Sequence, residues 1–181
     1  ELLNDTESAQ NYYRMAIWTY LFNGELEHEY YKPIRDNYIM LLTKSNEIDG
    51  LLGFFKSESA AYDREEIRNE NYFLSLKQYN KMIHYDRAYE NIEIENLEKM
   101  IHYCVNRNQL DDVYIESVIQ LGAIFTYNDS PIKLFDLMAK NRDGLITAQK
   151  TSSYTEGEIY KYLAVNFSTE SVKDEQEIKR L

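Results

Sequence analysis

Cysteine, proline and glycine are all scarce in this chain of 181 residues. There is one cysteine, Cys104, with two prolines and six glycines. A single thiol excludes an intramolecular disulfide framework and any zinc site that takes two thiolates from one chain. We therefore expect a reducing compartment, the cytoplasm. So few turn-forming residues also disfavour all-β sandwiches and barrels, which need a turn about every 8 to 12 residues.

Basic residues are outnumbered, with 20 Lys and Arg against 31 Asp and Glu and a net charge of -11. Affinity for nucleic acid depends on clustered Lys and Arg that neutralise phosphates. We therefore expect no direct nucleic-acid binding by this fragment. Long apolar runs are lacking too, since the run at residues 38–42 stops after five, far short of the roughly 18 residues that span a bilayer. We expect no membrane insertion.

Hydrophobic residues make up 44% of the chain and aromatic residues 14%, which is enough to form a packed core. Apolar residues recur at spacings of three and four along most of the sequence, and this spacing places them on one face of a helix. The pattern predicts an all-α fold of about eight or nine helices joined by short polar links. Either a multi-helix bundle or an array of helix pairs of the tetratricopeptide (TPR-like) type fits it.

One domain is predicted over residues 1–167, followed by a polar C-terminal tail over residues 168–181 that resembles a frayed helix. The chain starts Glu-Leu-Leu-Asn-Asp, without an initiator methionine or a signal peptide. This start is typical of a fragment, and we expect a further segment before Glu1.

Polar residues and prolines mark the predicted helix ends. Pro33 predicts a kink or the start of a new helix, and a break is predicted near Asn69 or Asn71. The other signals have the usual chemistry of helix caps. They are a C-cap at Asn23-Gly24, N-caps at Asn46 and Asp111, a helix start at Ser130-Pro131 and a capping box over residues 155–158.

One pentapeptide, Lys-Met-Ile-His-Tyr, occurs at residues 81–85 and again at residues 99–103. The offset, 99 − 81 = 18 residues, is neither the 34 of tetratricopeptide repeats nor the roughly 40 to 47 of armadillo and HEAT arrays. Chance repetition in a chain rich in Lys, Ile and Tyr remains an alternative to a structural repeat.

Two segments resemble metal sites, and each lacks ligands. Glu25 and His28 have the three-residue spacing of a di-iron helix, but the second such unit is missing. Residues 141–144, Asn-Arg-Asp-Gly, resemble the middle of a calcium loop, whose end positions would fall on Ala139 and Lys150 instead of on carboxylates. We interpret Glu25 and His28 as solvated helix residues and predict that a helix ends at an Asp143-Gly144 turn. No metal or cofactor is predicted.

Catalytic motifs are also missing from the sequence. Cys104 lies two residues from His102, and residues two apart on a helix point in different directions. Because Cys104 falls on an apolar stripe, we predict a buried structural residue. The glycine-rich phosphate loops and the Gly-x-Ser-x-Gly motif do not occur. We assign no catalytic residue and predict that the chain is not an enzyme.

Tyrosine is the most unusual feature, with 17 residues. Its large rigid ring with a polar tip is enriched at protein interfaces. In the doublets Tyr12-Tyr13 and Tyr30-Tyr31, one ring should face away from the core, because neighbours on a helix differ by about 100°. We predict that these four tyrosines contribute anchors to an interface. AT-rich codon usage is the alternative explanation.

These features predict a non-catalytic regulatory interaction module that forms a homo-oligomer or binds a protein or peptide. The effector half of a bacterial or phage transcriptional regulator would have this architecture, an analogy and not a motif match. A small all-α enzyme whose acidic residues converge in three dimensions is one alternative. An acidic decoy of a nucleic-acid-binding protein is another.

Overall fold

The computed structural model describes residues 6–84 and 86–154. Within these ranges the chain contains α-helices and one short 3-10 turn, Arg87–Tyr89, with no strand. No helix in them is long and apolar enough to cross a bilayer. The seven α-helices are α1 Thr6–Asn23, α2 Tyr31–Lys44, α3 Ile48–Arg64, α4 Glu70–Ile83, α5 Glu90–Asn106, α6 Asp112–Tyr127 and α7 Pro131–Ala148.

The all-α prediction is confirmed for the residues that the structure describes. Residues 6–84 and 86–154 contain seven α-helices, slightly fewer than the eight or nine expected over the whole chain. The predicted capping box at 155–158, the helix expected after it and the predicted tail at 168–181 lie outside the described residues.

Contacts along the chain cluster in two compact units, the first ending at Met82 and the second starting at Ile83. In the first unit α1, α2 and α3 pack against one another. In the second unit α6 packs against both α5 and α7. A single domain over residues 1–167 remains a prediction.

Several helices end without glycine. After α2, α3, α5 and α6 the chain passes through one residue in the left-handed region. Two backbone hydrogen bonds then close each end, as after α2, where Glu47 N donates to Leu42 O and Asn46 N donates to Thr43 O. This is the Schellman arrangement, which satisfies carbonyls that the helix leaves unpaired. The left-handed residues are Asn46, Glu66, Asn108 and Asp129.

Some of the predicted helix ends are confirmed and others are wrong. Asp111 caps α6 through its carboxylate, and Gly24, at φ +73, ends α1. Asn46 was expected to start α3, but it ends α2 instead, and Glu47 precedes α3 without a side-chain cap. Pro131 starts α7 as predicted, while the Ser130 hydroxyl donates to a backbone carbonyl behind it and does not cap the helix.

The other two signals also lie at helix starts. Pro33 lies in the first turn of α2, where its missing N–H leaves no hydrogen bond unmade, so a new helix starts there and no kink forms. Asn69 accepts a hydrogen bond from Tyr72 N at 3.0 Å and so marks the predicted break before α4.

A charged carboxylate lies in the core of the first unit. Glu58, on α3, has no exposed surface. It accepts hydrogen bonds from Tyr31 Oη at 2.5 Å, from Arg35 Nε at 2.5 Å and Nη2 at 3.0 Å, and from Ser75 Oγ at 2.6 Å. These donors come from α2 and α4, so one carboxylate connects three helices.

Arg35 is buried as deeply as its partner, at 2% exposure. Its Nη2 also donates to Gln78 Oε1 at 2.7 Å, and its guanidinium lies 5.9 Å from the ring centres of both Phe54 and Phe55. Burial, and then the Glu58 charge, raise the pKa of the Tyr31 hydroxyl far above its usual range. The hydroxyl therefore remains a hydrogen-bond donor.

In the second unit a close contact between α6 and α7 fixes the position of these two helices. Residues 141–144 lie inside α7, so the predicted Asp143-Gly144 turn is wrong. The reason is Tyr114 of α6, whose buried ring lies against the α7 backbone and whose hydroxyl donates to Asn141 Oδ1 at 2.9 Å. A Cβ at residue 144 would overlap that hydroxyl. Glycine is required there by packing and not by a turn.

We predict that Glu58→Gln destabilises the protein by about 3 to 5 kcal/mol, because Arg35 keeps its buried charge and loses the opposite one. The matched control is Glu65→Gln, since Glu65 pairs with Arg64 at the surface and should contribute less than about 1 kcal/mol. Urea unfolding followed by circular dichroism measures both values. Equal losses in the two variants would contradict the prediction.

We predict that Gly144→Ala lowers the melting temperature, because the added methyl group displaces the Tyr114 ring. Overpacking of this kind costs about 1 to 3 kcal/mol. Gly53→Ala is the control, since Gly53 also lies inside a helix but a Cβ there meets nothing within 4 Å. That variant should gain roughly 0.5 to 1 kcal/mol from helix propensity. A stabilised Gly144→Ala protein would rule out the packing argument.

Candidate functional site

The structure separates the four tyrosines proposed as interface anchors. Tyr12 is 74% exposed and Tyr30 is 58% exposed, whereas Tyr13 is half-buried. One ring of each doublet therefore does face away from the core. Tyr31 lies in the core, with no exposed surface and its hydroxyl bonded to Glu58. It is therefore not available as a surface anchor.

Tyr12 belongs to a row of exposed apolar side chains along α1. Met15 is 67% exposed, Trp18 48% and Phe22 84%. Spacings of three, three and four residues place the four on one side of the helix. The opposite side carries the buried residues Ile17 and Leu21. We refer to the exposed row of Tyr12, Met15, Trp18 and Phe22 as the α1 face.

The α1 face lies on a helix with almost no charge. Residues 8–23 contain one charged side chain, Arg14, in a chain of which 28% is charged. Arg14 bonds to Asn11 within the same helix at 2.7 Å. Protein interfaces are depleted of Lys, Glu and Asp at their centres and enriched in aromatic residues, Met and Arg. The composition of α1 follows that pattern.

Glu25 and His28 do not share a helix face, because residues 24–30 form the connection between α1 and α2. There the imidazole of His28 accepts a hydrogen bond from Tyr30 N at 3.3 Å, and its ring contacts the rings of both Tyr20 and Tyr30. Within the described ranges no three His, Cys, Asp or Glu residues are grouped so as to hold a metal ion.

The two copies of the repeated pentapeptide have different surroundings. His84 follows the end of α4 and bonds to Glu93, whereas His102 lies inside α5, where it bonds to Asn106 one turn later. The shared sequence therefore does not correspond to a shared structural unit.

A cleft of about 520 Å³ opens in the second unit. Residues of α5, of the 3-10 turn and of the segment before that turn line one side, and residues of α6 line the other. The size falls within the range of small-molecule sites. Its α6 side is apolar apart from Gln120, and its other side carries the ionisable groups. The α5–α6 cleft is lined on the charged side by His84, Asp86, Arg87, Glu90 and Glu93, and on the α6 side by Ile119, Gln120, Ala123, Ile124 and Tyr127.

Specific contacts hold the charged groups of the α5–α6 cleft in place. His84 Nδ1 lies 2.6 Å from Oε1 of Glu93, whose side chain is only 5% exposed. Asn128 donates to Glu90 Oε1 at 2.7 Å. The Arg87 guanidinium lies 4.9 Å from the centre of the Tyr127 ring, in cation–π geometry.

The spacing of apolar residues did not by itself predict the cleft, although the sequence of α6 contains two apolar rows. Its buried face includes Tyr114, Val118 and Leu121. Ile119, Ala123 and Tyr127 form a second apolar row at spacings of four. A helix that is apolar on two faces needs a second partner or a ligand. The pairing of His84 with Glu93 could not be predicted in the same way, because it crosses from the end of α4 into α5.

Comparison with protein-family models, with curated proteins and with solved structures finds no match to this chain. Inference about function therefore depends on the chain's own surfaces.

Cys104 is predicted to react slowly with thiol reagents at neutral pH. It is 2% exposed, and burial, followed by the nearby Asp111 carboxylate, raises the pKa of its thiol to about 11. Compared with an ordinary thiol this leaves roughly a hundredfold less of the reactive thiolate.

The control is Cys104→Ala combined with Val105→Cys, which moves the single thiol to a neighbouring position that is 50% exposed. Labelling with a chromogenic disulfide should be fast in this control and in denaturant, and slow in the native wild-type protein. Equal rates for the native wild type and the control would show that Cys104 is accessible.

Proposed function

We propose that this chain is a non-catalytic interaction module that forms a dimer through the α1 face. The observation that carries the proposal is the row of four large apolar side chains exposed on a nearly uncharged helix. Contiguous exposed apolar patches of this kind mark interaction sites in folded proteins.

The area of the α1 face fits a second copy of the chain. With roughly 200 Å² for each of the three aromatic side chains and a similar value for Met15, the four exposed fractions correspond to about 550 Å² of surface. Two copies would bury about 1,100 Å², just above the roughly 1,000 Å² expected of a biological interface. Neighbouring polar residues of α1 would add to this total at the rim.

Charge also favours α1 over other surfaces for self-association. Two chains of net charge -11 repel each other, and the repulsion is least where neither surface carries carboxylates. Residues 8–23 contain no Asp or Glu. A second copy can therefore approach this helix without placing like charges opposite each other.

The proposed dimer pairs α1 with α1 in antiparallel orientation about a two-fold axis. The α1 face runs from Tyr12 to Phe22, about 15 Å along the helix. Its midpoint lies beside Trp18, so each Trp18 would lie near the axis and each Tyr12 near the other chain's Phe22. The same patch then serves both chains, as a two-fold interface requires.

Dimerisation fits the broader role of a regulatory module in the cytoplasm, as in the effector half of a transcriptional regulator. A protein or peptide partner on the α1 face is the alternative occupant. The mass of the purified chain in solution distinguishes the two occupants, because self-association requires no other molecule.

We predict that Phe22→Ala and Trp18→Ala each weaken the dimer roughly thirtyfold, as the loss of an interface anchor worth about 2 kcal/mol would do. Sedimentation equilibrium should give twice the mass of 21.6 kDa for the wild type and a lower average for the variants. Ile132→Ala is the control, because Ile132 is 77% exposed on α7, outside the α1 face, and should leave the mass unchanged.

Two further readouts distinguish this interface from others. Trp18 is the single tryptophan of the chain, so its fluorescence should shift to longer wavelength when the dimer is diluted. Added salt should strengthen association, because it screens the repulsion between acidic chains without weakening apolar contact. A wild-type monomer at all concentrations would refute the proposal. If Phe22→Ala lowers the melting temperature but leaves the mass unchanged, the α1 face packs within a single chain and is not a dimer interface.

A further inference from the structure

We propose that the α5–α6 cleft binds a small organic cation, an ammonium or amidinium group attached to an apolar body. This inference is independent of the dimer, because none of the residues that line the cleft belongs to α1. The cleft has the two features that such a ligand needs, an apolar surface and a fixed excess of negative charge.

The apolar surface comes from α6. Ile119 and Ile124 are half-buried and Ala123 is exposed. Covering them with an apolar ligand removes their hydrocarbon from water, which is the main source of affinity in sites of this size. Tyr127, at 67% exposure, extends the surface with an aromatic ring.

The charge excess comes from three carboxylates. Asp86, Glu90 and Glu93 line the cleft together with one guanidinium, that of Arg87, and one imidazole, that of His84. Even with a protonated imidazole, three negative charges face two positive ones. Glu93 is nearly buried against His84, so its charge acts through a poorly hydrated region where screening is weak. This negative charge repels an anionic ligand and attracts a cationic one.

Arg87 already shows how a cation is held at this position. Its guanidinium lies over the Tyr127 ring, 4.9 Å from the centre, and the ring attracts positive charge. We infer that a ligand cation takes up the same attraction and competes with Arg87 for it. Removal of Arg87 should therefore strengthen the binding of a cation, whereas it would weaken the binding of an anion.

The test uses three probes with the same body and different charge: 4-phenylbutylammonium, 4-phenylbutanol and 4-phenylbutyrate. Each is titrated into the full chain while the ring resonances of its three histidines are followed by NMR. Binding in the cleft should shift the His84 signals and leave those of His28, in the first unit, in place. The ammonium should bind about fivefold or more tightly than the alcohol, and the carboxylate should bind weakest.

Two variants are expected to change the affinity for the ammonium probe in opposite directions. Glu90→Gln keeps an amide oxygen that can accept from Asn128 but removes a charge, so it should weaken the ammonium about threefold or more. Arg87→Gln should tighten the ammonium by a similar factor, because it removes a like charge and uncovers Tyr127. Glu98→Gln is the control, since Glu98 lies on the same helix but lines a different groove. It should change binding less than twofold.

Each other outcome overturns the proposal. Equal affinity for the ammonium and the alcohol would describe an apolar cleft without charge selection. Preference for the carboxylate, lost in Arg87→Gln, would make it an anion site. If no probe shifts the His84 resonances, the cleft takes no ligand of this class.

Discussion

Glu58 carries its negative charge at a place in the first unit that water does not reach, and the packing of that unit depends on how this charge is satisfied. Two of its donors come from α2 and one from α4, while the carboxylate itself belongs to α3. A shift of any of these helices along its axis would leave a buried charge or hydroxyl unpaired, at a cost that apolar contacts alone do not impose. The network therefore selects one register among the many that apolar packing would allow.

In the second unit a close fit between α6 and α7 gives the same selectivity. Tyr114 of α6 lies against Gly144 of α7, and its hydroxyl bonds to Asn141 one turn earlier. The Tyr114 ring fits against Gly144 only in one register of α6 along α7. The register is therefore set by steric fit, whereas in the first unit it is set by a buried charge. Because this contact uses one side of α6, the row of Ile119, Ala123 and Tyr127 on another side is left partly open to solvent, where it forms the apolar wall of the cleft.

The two candidate surfaces differ in chemistry, and this difference argues for different occupants. The α1 face combines four large apolar side chains with an absence of carboxylates, which suits another copy of an acidic chain. The α5–α6 cleft combines a smaller apolar wall with three carboxylates, which suits a small cation. Acidic residues are thus distributed unevenly, since residues 8–23 contain none and the α5–α6 cleft contains three.

The sequence by itself determined the helical fold, the cap at Asp111, the turn at Gly24 and the start at Pro131, because these depend on neighbours within about four residues. Only the tertiary structure decided what lies far apart in sequence. It paired Arg35 with Glu58, buried Tyr31 while leaving Tyr12 exposed, and placed Gly144 inside a helix instead of at a turn. Local spacing specifies which side of a helix a residue occupies, but the residues opposite that side are specified by how the helices pack.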